Sequence, residues 1–301
     1  MRNKQVKIIA GPCSIDKNNI SDINDIINIK INNKRVISGV RVVGLKSRTL
    51  LNSSGEGMGM DYDNYMYNLG VLCNGGNPTQ FKDLPSILIA KELQDKYGVS
   101  IATEVMDPSI QMPLFEKYLK TGKFMPWNPS VNQLGWTLLH MSKYCKRNNW
   151  LLGIKNSKNL GIDLKSSEED NIEAPLEKVW AGLSDYADLA IGNKILIHRG
   201  VDTPDKGNFR NVVVHNLAKT VKLATGCKLY FDPSHSYGAK LRDEIPQAIV
   251  DSLKMQINDE NYLYDGILVE VGNSKTDTEQ HITVKELEDV LKNVSNTRIL
   301  T

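Results

Sequence analysis

The sequence predicts an α/β protein folded as one (β/α)8 barrel, the TIM-barrel architecture. Two observations carry this. Short apolar or β-branched runs alternate with segments of helical apolar spacing, and the count reaches eight of each within 301 residues. Such alternation builds βαβ units on a parallel sheet, and eight units in a chain of this length fit a barrel. The apolar runs also end in polar clusters, and parallel α/β proteins place their chemistry just past the carboxyl ends of their strands. The alternative is a doubly wound open sheet. It would carry a Gly-rich phosphate turn after the first strand, and Gly11-Pro12-Cys13-Ser14 is not one.

Val6 to Ala10 reads as the first strand, stopped by Gly11-Pro12. Ser21 to Ile31 carries isoleucines at helical spacing. Gly39 to Leu45 is the second strand and delivers Lys46-Ser47-Arg48-Thr49. From about 50 to 82 the chain loses periodicity and is rich in Gly, Asn, Met and Tyr; a loop this long in a compact domain is expected to act as a lid over a site or to be a loose insertion. Asp83 to Tyr97 is a helix closed by Gly98. Val99 to Met106 is a strand, Ser109 to Leu119 a helix, Phe124 to Trp127 a strand, Val131 to Asn148 a helix and Trp150 to Ile154 a strand delivering Lys155. Leu176 to Leu189 and Asn211 to Thr225 are helices around the strand Lys194 to Ile197, which hands over to His198-Arg199-Gly200. Leu229 to Phe231 is a strand that Pro233 forces out of the sheet, leaving His235 just past its end. Leu241 to Ile257 is a helix. Gly266 to Val271 is the eighth strand, bringing Glu270 and then Asp277, and Val284 to Val294 is the last helix.

Hydrophobic residues make up 41% and charged residues 24%, ordinary for a globular enzyme with a sizeable core. Lys and Arg number 37 against 35 acids, so no net field recruits nucleic acid or an anionic membrane. Cys13, Cys73, Cys145 and Cys227 form no CxxC pair, which points to reduced thiols and a cytoplasmic location. Neither a signal peptide nor a membrane span is expected, and residues 1–301 are read as one domain without an appended regulatory domain.

In a barrel the strand-end residues converge on one rim. Cys13, His235, Glu270 and Asp277 form one group: a thiolate, an imidazole and two carboxylates suit a divalent metal such as Mn, Fe, Co or Zn. Taken singly, Cys13 could be packing and Asp277 a solvated acid; the joint placement on neighbouring strands favours a site. Arg41, Lys46, Arg48, Lys155 and Arg199 form the other group, a rim of cations suited to a phosphorylated, carboxylated small molecule. The bland alternative is that these cations pair with strand-end acids such as Glu104 and Asp107.

Gly11-Pro12-Cys13-Ser14, Lys46-Ser47-Arg48-Thr49, Lys155-Asn156, His198-Arg199-Gly200, Asp232-Pro233-Ser234-His235-Ser236 and the segment from Glu270 to Asp277 follow one another as in class I 3-deoxy-D-arabino-heptulosonate 7-phosphate (DAHP) synthases, which the chain resembles over almost its whole length. The resemblance implies a metal on Cys13, His235, Glu270 and Asp277, phosphoenolpyruvate on Arg41, Lys46, Lys155 and Arg199, and an aldose phosphate, erythrose 4-phosphate first, at Arg48 and Thr49. It implies a place in aromatic amino acid biosynthesis, the shikimate pathway, and a homo-oligomer, dimer or tetramer. Lys46 or Lys155 is the expected proton-transfer group, its pKa pulled down by neighbouring cations.

Three departures bear on the substrate. Trp127-Asn128 stands where the family has Gly-Ala-Arg; the span from Glu270 to Asp277 is short, with Gly272 in place of His; and Ser47 replaces Pro. They keep three alternatives open: a relative that condenses phosphoenolpyruvate with another aldose, as octulosonate synthases do; a non-catalytic barrel binding a phosphorylated ligand; and a metal-dependent aldolase or lyase acting on another keto acid.

Overall fold

A computed structural model describes residues 4–46, 58–158, 176–259, 261–272 and 279–301. Eight parallel strands form the sheet: β1 (Gln5–Gly11), β2 (Gly39–Arg41), β3 (Ser100–Glu104), β4 (Phe124–Trp127), β5 (Leu152–Lys155), β6 (Lys194–His198), β7 (Lys228–Phe231) and β8 (Gly266–Glu270). Each pairs with its sequence neighbour, and β1 also pairs with β8, Gly11 opposite Glu270, so the sheet closes as predicted.

Side chains alternate across each strand. Ile8, Val40, Ile101, Leu152, Leu196, Leu229 and Ile267 join the large outer core against the helices. Ile9, Ala102, Met125, Trp127, Ile195, Ile197, Tyr230 and Leu268 form a separate cluster, which fills the barrel. Each inward position is thus set by a period of two, and the last inward residue of a strand meets the carboxyl-end mouth.

The helices follow their sequence signals. Pro85–Tyr97 has proline in its first turn and ends at Gly98 with φ 64°, a left-handed cap that glycine adopts without strain. Val284–Ser295 starts in a capping box between Thr283 and Glu286.

Several expectations need correction. Tyr62–Cys73 is a helix and Pro78–Gln80 a 3-10 turn, inside the stretch read as loop; Asn68 is the one described residue of that helix that is buried, so no apolar stripe advertised it. Residues 47–57 of the stretch lie outside the described residues. The second strand stops at Arg41 instead of Leu45, because beyond it Gly44 O accepts from the Asp61 N–H and the Lys46 N–H donates to Met58 O, so this exit pairs with the 58–61 segment instead of a strand. The first helix ends at Ile27, and a hairpin of Lys30–Ile31 with Lys34–Arg35 follows, turned by Asn32 and Asn33 at positive φ. The predicted helix from Leu241 divides into a 3-10 segment, Ala239–Glu244, and a helix, Ile245–Lys254. A final strand, Ile299–Leu300, pairs with β1 outside the barrel. Among the described residues no helix is long and apolar enough to cross a membrane.

Candidate active site

The period of two brings opposite charges together at the mouth. Arg41 ends β2, Glu104 ends β3, Lys155 ends β5, Glu270 ends β8, and Asp232 follows β7; all are buried. Arg41 Nη2 lies 2.9 Å from Glu270 Oε1, Lys46 Nζ 3.4 Å from Glu104 Oε2, and Lys155 Nζ 3.0 Å from Asp232 Oδ2. Three of the predicted cations therefore carry carboxylate partners. Arg199 instead donates from Nη1 to Asn211 Oδ1 at 2.9 Å, while its backbone N–H donates to Asn156 Oδ1.

The pairing leaves donors over. Arg41 Nε and Nη1 and Arg199 Nε are buried and have no hydrogen-bond partner among the described residues. Buried donors of this kind are uncommon in folded proteins, and charged ones call for an acceptor.

Asp232 organises His235. It caps the short helix Pro233–Tyr237, accepting from the His235 backbone N–H, and its Oδ1 is hydrogen-bonded to His235 Nδ1 at 3.0 Å. That bond assigns the proton to Nδ1 and leaves the Nε2 lone pair facing Glu270 Oε1 at 3.7 Å. Glu270 is held from behind: Gln280 Nε2 donates to its Oε2 at 2.7 Å, Ser234 Oγ accepts from its backbone N–H, and Arg210 donates to Gln280.

The electrostatics follow from this packing. Burial would raise both carboxyls, but His235, Lys155 and Arg41 outweigh it at Asp232, and His235, Arg41 and Lys46 at Glu270, so both lie well below the usual range. Burial would lower Lys46, yet Cys13, Glu104 and Glu270 overcome it and hold the ammonium well above its ordinary value. The expectation that neighbouring cations depress Lys46 is thus overturned; acids surround it. Arg199 falls to about 10 through burial and the nearby Arg210.

For a divalent metal, the donors fit in kind. An imidazole nitrogen and a carboxylate oxygen, both bearing lone pairs, face each other at 3.7 Å, and the carboxylate of Asp232 fixes the imidazole from its other side, the arrangement expected behind a metal-bound histidine. Buried Cys13 follows β1 at the same mouth, and its carbonyl oxygen lies 3.5 Å from Arg41 Nη2. No three His, Cys, Asp or Glu side chains gather around one point among the described residues. Asp277, Arg48 and Thr49 lie outside them.

Sequence reasoning passed over several residues here. Gln280 and Asn211 carry no charge to flag them, and Trp127 was noted only as a departure from the family pattern. Asn128 was weighed as the replacement for a ligand-gripping Arg, but it is turned to the backbone: its Oδ1 accepts from Lys155 N, and its Nδ2 donates to Asn132 O and Lys155 O. It pins the end of β5; Trp127 is the residue that fills the barrel at that level.

No family model matches the sequence, and no curated protein matches it. Solved structures do. A DAHP synthase (phospho-2-dehydro-3-deoxyheptonate aldolase) from Thermotoga maritima superposes over 98% of this chain and 69% of its own, with TM-score 0.64 and 16% identity. A truncated form of the 3-deoxy-D-arabino-heptulosonate 7-phosphate synthase from the same organism gives TM-score 0.62 and 16% identity, covering 98% of this chain and 88% of its own. At that identity the likeness is one of architecture: this chain has the (β/α)8 barrel fold of those DAHP synthases.

Proposed function

We propose that this protein is a DAHP synthase-like transferase that condenses phosphoenolpyruvate with an aldose phosphate, erythrose 4-phosphate first, releasing inorganic phosphate. The observation that carries the reading is the buried cation set at the mouth, Arg41, Lys46, Lys155 and Arg199, with donors on Arg41 and Arg199 that have no hydrogen-bond partner among the described residues. The shared fold with DAHP synthases and the ordered strand-end residues support it.

In the reaction, C3 of phosphoenolpyruvate bonds to the aldehyde carbon of the sugar phosphate, whose oxygen takes up a proton. Water adds at C2, and the C2–O bond to phosphate breaks, leaving a ketone and free phosphate. Arg41 and Arg199 would orient the carboxylate and phosphate of phosphoenolpyruvate with their forked donors. Lys46, held charged, is a fixed positive charge facing the anions rather than a proton shuttle. Lys155 is left as the proton-transfer candidate. A divalent metal, Mn, Fe, Co or Zn, would be held by Cys13, His235, Glu270 and Asp277, and when bound it would polarise the aldehyde oxygen. Arg48 and Thr49 would meet the aldose phosphate.

The test is phosphate release from phosphoenolpyruvate with a panel of aldose phosphates, with and without chelator. Release that needs an aldose and is abolished by chelator supports the reading, and the preferred aldose names the acceptor. Tight binding of phosphoenolpyruvate without release under any condition overturns it in favour of a binding protein. Consumption or formation of pyruvate without phosphate release would instead identify a lyase.

A further inference from the structure

The four indoles of this chain have different fates. Trp150 Nε1 donates to Lys120 O at 2.9 Å, and Trp180 Nε1 donates to Ile154 O at 2.9 Å. Trp136 is 66% exposed and meets water. Trp127 is 1% exposed, and its Nε1 has no hydrogen-bond partner among the described residues. A buried indole usually places its N–H on an acceptor, so this one is the exception to explain.

Its surroundings are unusual in a second way. The ring centroid of Trp127 lies 5.7 Å from Arg41 Cζ and 5.8 Å from Lys155 Nζ, so one indole serves two buried cations. Nε and Nη1 of Arg41 likewise have no hydrogen-bond partner among the described residues. The strands are closely apposed here: a Cβ on Gly153 would fall 2.6 Å from Trp127 Cβ. A buried indole donor on a ring shared with the Arg41 guanidinium, both with nitrogens that lack a hydrogen-bond partner among the described residues, suits an oxyanion.

We propose that the indole N–H of Trp127 donates to an oxyanion oxygen of phosphoenolpyruvate, beside Nε and Nη1 of Arg41. This rests on the reading above, in which the mouth receives phosphoenolpyruvate. Trp127 then contributes a neutral donor that adds no charge to the Arg41 and Lys155 pair, and it sets which anions fit between them.

Calorimetric titration of the whole protein with phosphoenolpyruvate, without any aldose, tests this. Trp127→Phe keeps one aromatic ring but removes the pyrrole ring together with its N–H, so its effect on binding is read alongside the wild-type indole resonance. The substitution should weaken binding about tenfold to a hundredfold, the loss of one hydrogen bond to a charged group. In turnover the KM for phosphoenolpyruvate should rise by a like factor with kcat within about twofold. Independently, the Trp127 indole N–H resonance of the wild-type protein should move downfield at saturating phosphoenolpyruvate, while those of Trp150 and Trp180 stay in place. Separate titrations with phosphate and with pyruvate identify which end of the ligand it meets. Binding by Trp127→Phe within about twofold of wild type, or an unmoved Trp127 resonance, overturns the inference. Should the variant not fold, the wild-type spectra decide. Should wild type fail to bind phosphoenolpyruvate, the functional reading falls by itself; a Trp127 shift with phosphate or pyruvate would still support the oxyanion contact, and none with either would end it.

Discussion

The two ends of the barrel are built from the same eight strands and differ in almost every other respect. At the carboxyl-end mouth the inward residues are Arg41, Glu104, Lys155, Asp232 and Glu270, buried and locked in ion pairs. At the opposite mouth a cavity of about 320 Å3 opens over Ile9, Ala102, Met125, Ile195 and Tyr230, with Lys7 and Lys228 at its edge. There burial and the nearness of Lys228 lower the pKa of Lys7. Two or three residues along each strand, about 3.3 Å apiece, separate a compensated charge network from a lining of ordinary apolar side chains. The charged end is therefore held together by mutual dependence, while the lining of the other end rests mainly on apolar packing.

That contrast can be broken most forcefully at Arg41. Arg41→Met leaves Glu270 buried without its cation and should cost about 3–5 kcal/mol of stability, the penalty of an orphaned buried charge, with activity abolished. Adding Glu270→Leu should recover most of the stability and none of the activity. Chemical denaturation of the two variants checks both; a single variant within about 1 kcal/mol of wild type would mean that the network is not mutually dependent.

Asp61 sharpens the comparison from the same end. Its carboxylate, bonded to Ser86, is buried away from the cations, and burial raises it from 3.8 to about 6. The folded state therefore binds this proton more tightly than the unfolded chain. Its contribution is fully present below pH 4 and is lost as pH rises through 6, on the order of 3 kcal/mol in all. Asp232 and Glu270, whose folded values are depressed, act in the opposite sense and lose stability on acidification. Comparing Asp61→Asn with wild type across pH 4 to 7 should isolate the term: the difference between them should grow with pH, and a flat difference would remove Asp61 from the account.

Gly153→Ala probes the boundary between the ends. The added Cβ meets Trp127 Cβ at 2.6 Å and Ile197 Cδ1 at 2.8 Å, so overpacking should cost about 1–3 kcal/mol, read as a lower denaturation midpoint. The smallest effect belongs to the apolar end: Lys228→Ala should change stability by no more than about 0.5 kcal/mol and leave phosphate release untouched. A large loss of activity there would show that the two mouths are coupled.

Much of this was legible in sequence because strand periodicity and strand-end chemistry are local signals. Val6 to Ala10 and Gly266 to Val271 announced themselves by β-branching, and Pro233 marked where the chain leaves the sheet. Tyr62–Cys73 escaped because its apolar residues make no stripe and only Asn68 is buried among those described. The partners of the cations escaped for another reason. Glu104 was weighed only as a possible neighbour, and which acid meets which base depends on the stagger of strands around a closed sheet, a property of no single segment. The same holds for Trp127, whose sequence neighbourhood says strand and nothing about the cations on either side.

One consequence follows from the position of β1, which binds β2 on one flank and β8 on the other. The barrel's first strand is completed only by its eighth. During synthesis its Lys7–Gly11 edge must stay without a partner until Gly266–Glu270 leaves the ribosome, an open template for pairing with another nascent chain. Slow growth of the polypeptide should therefore harm yield more than slow closure does once the whole chain is released.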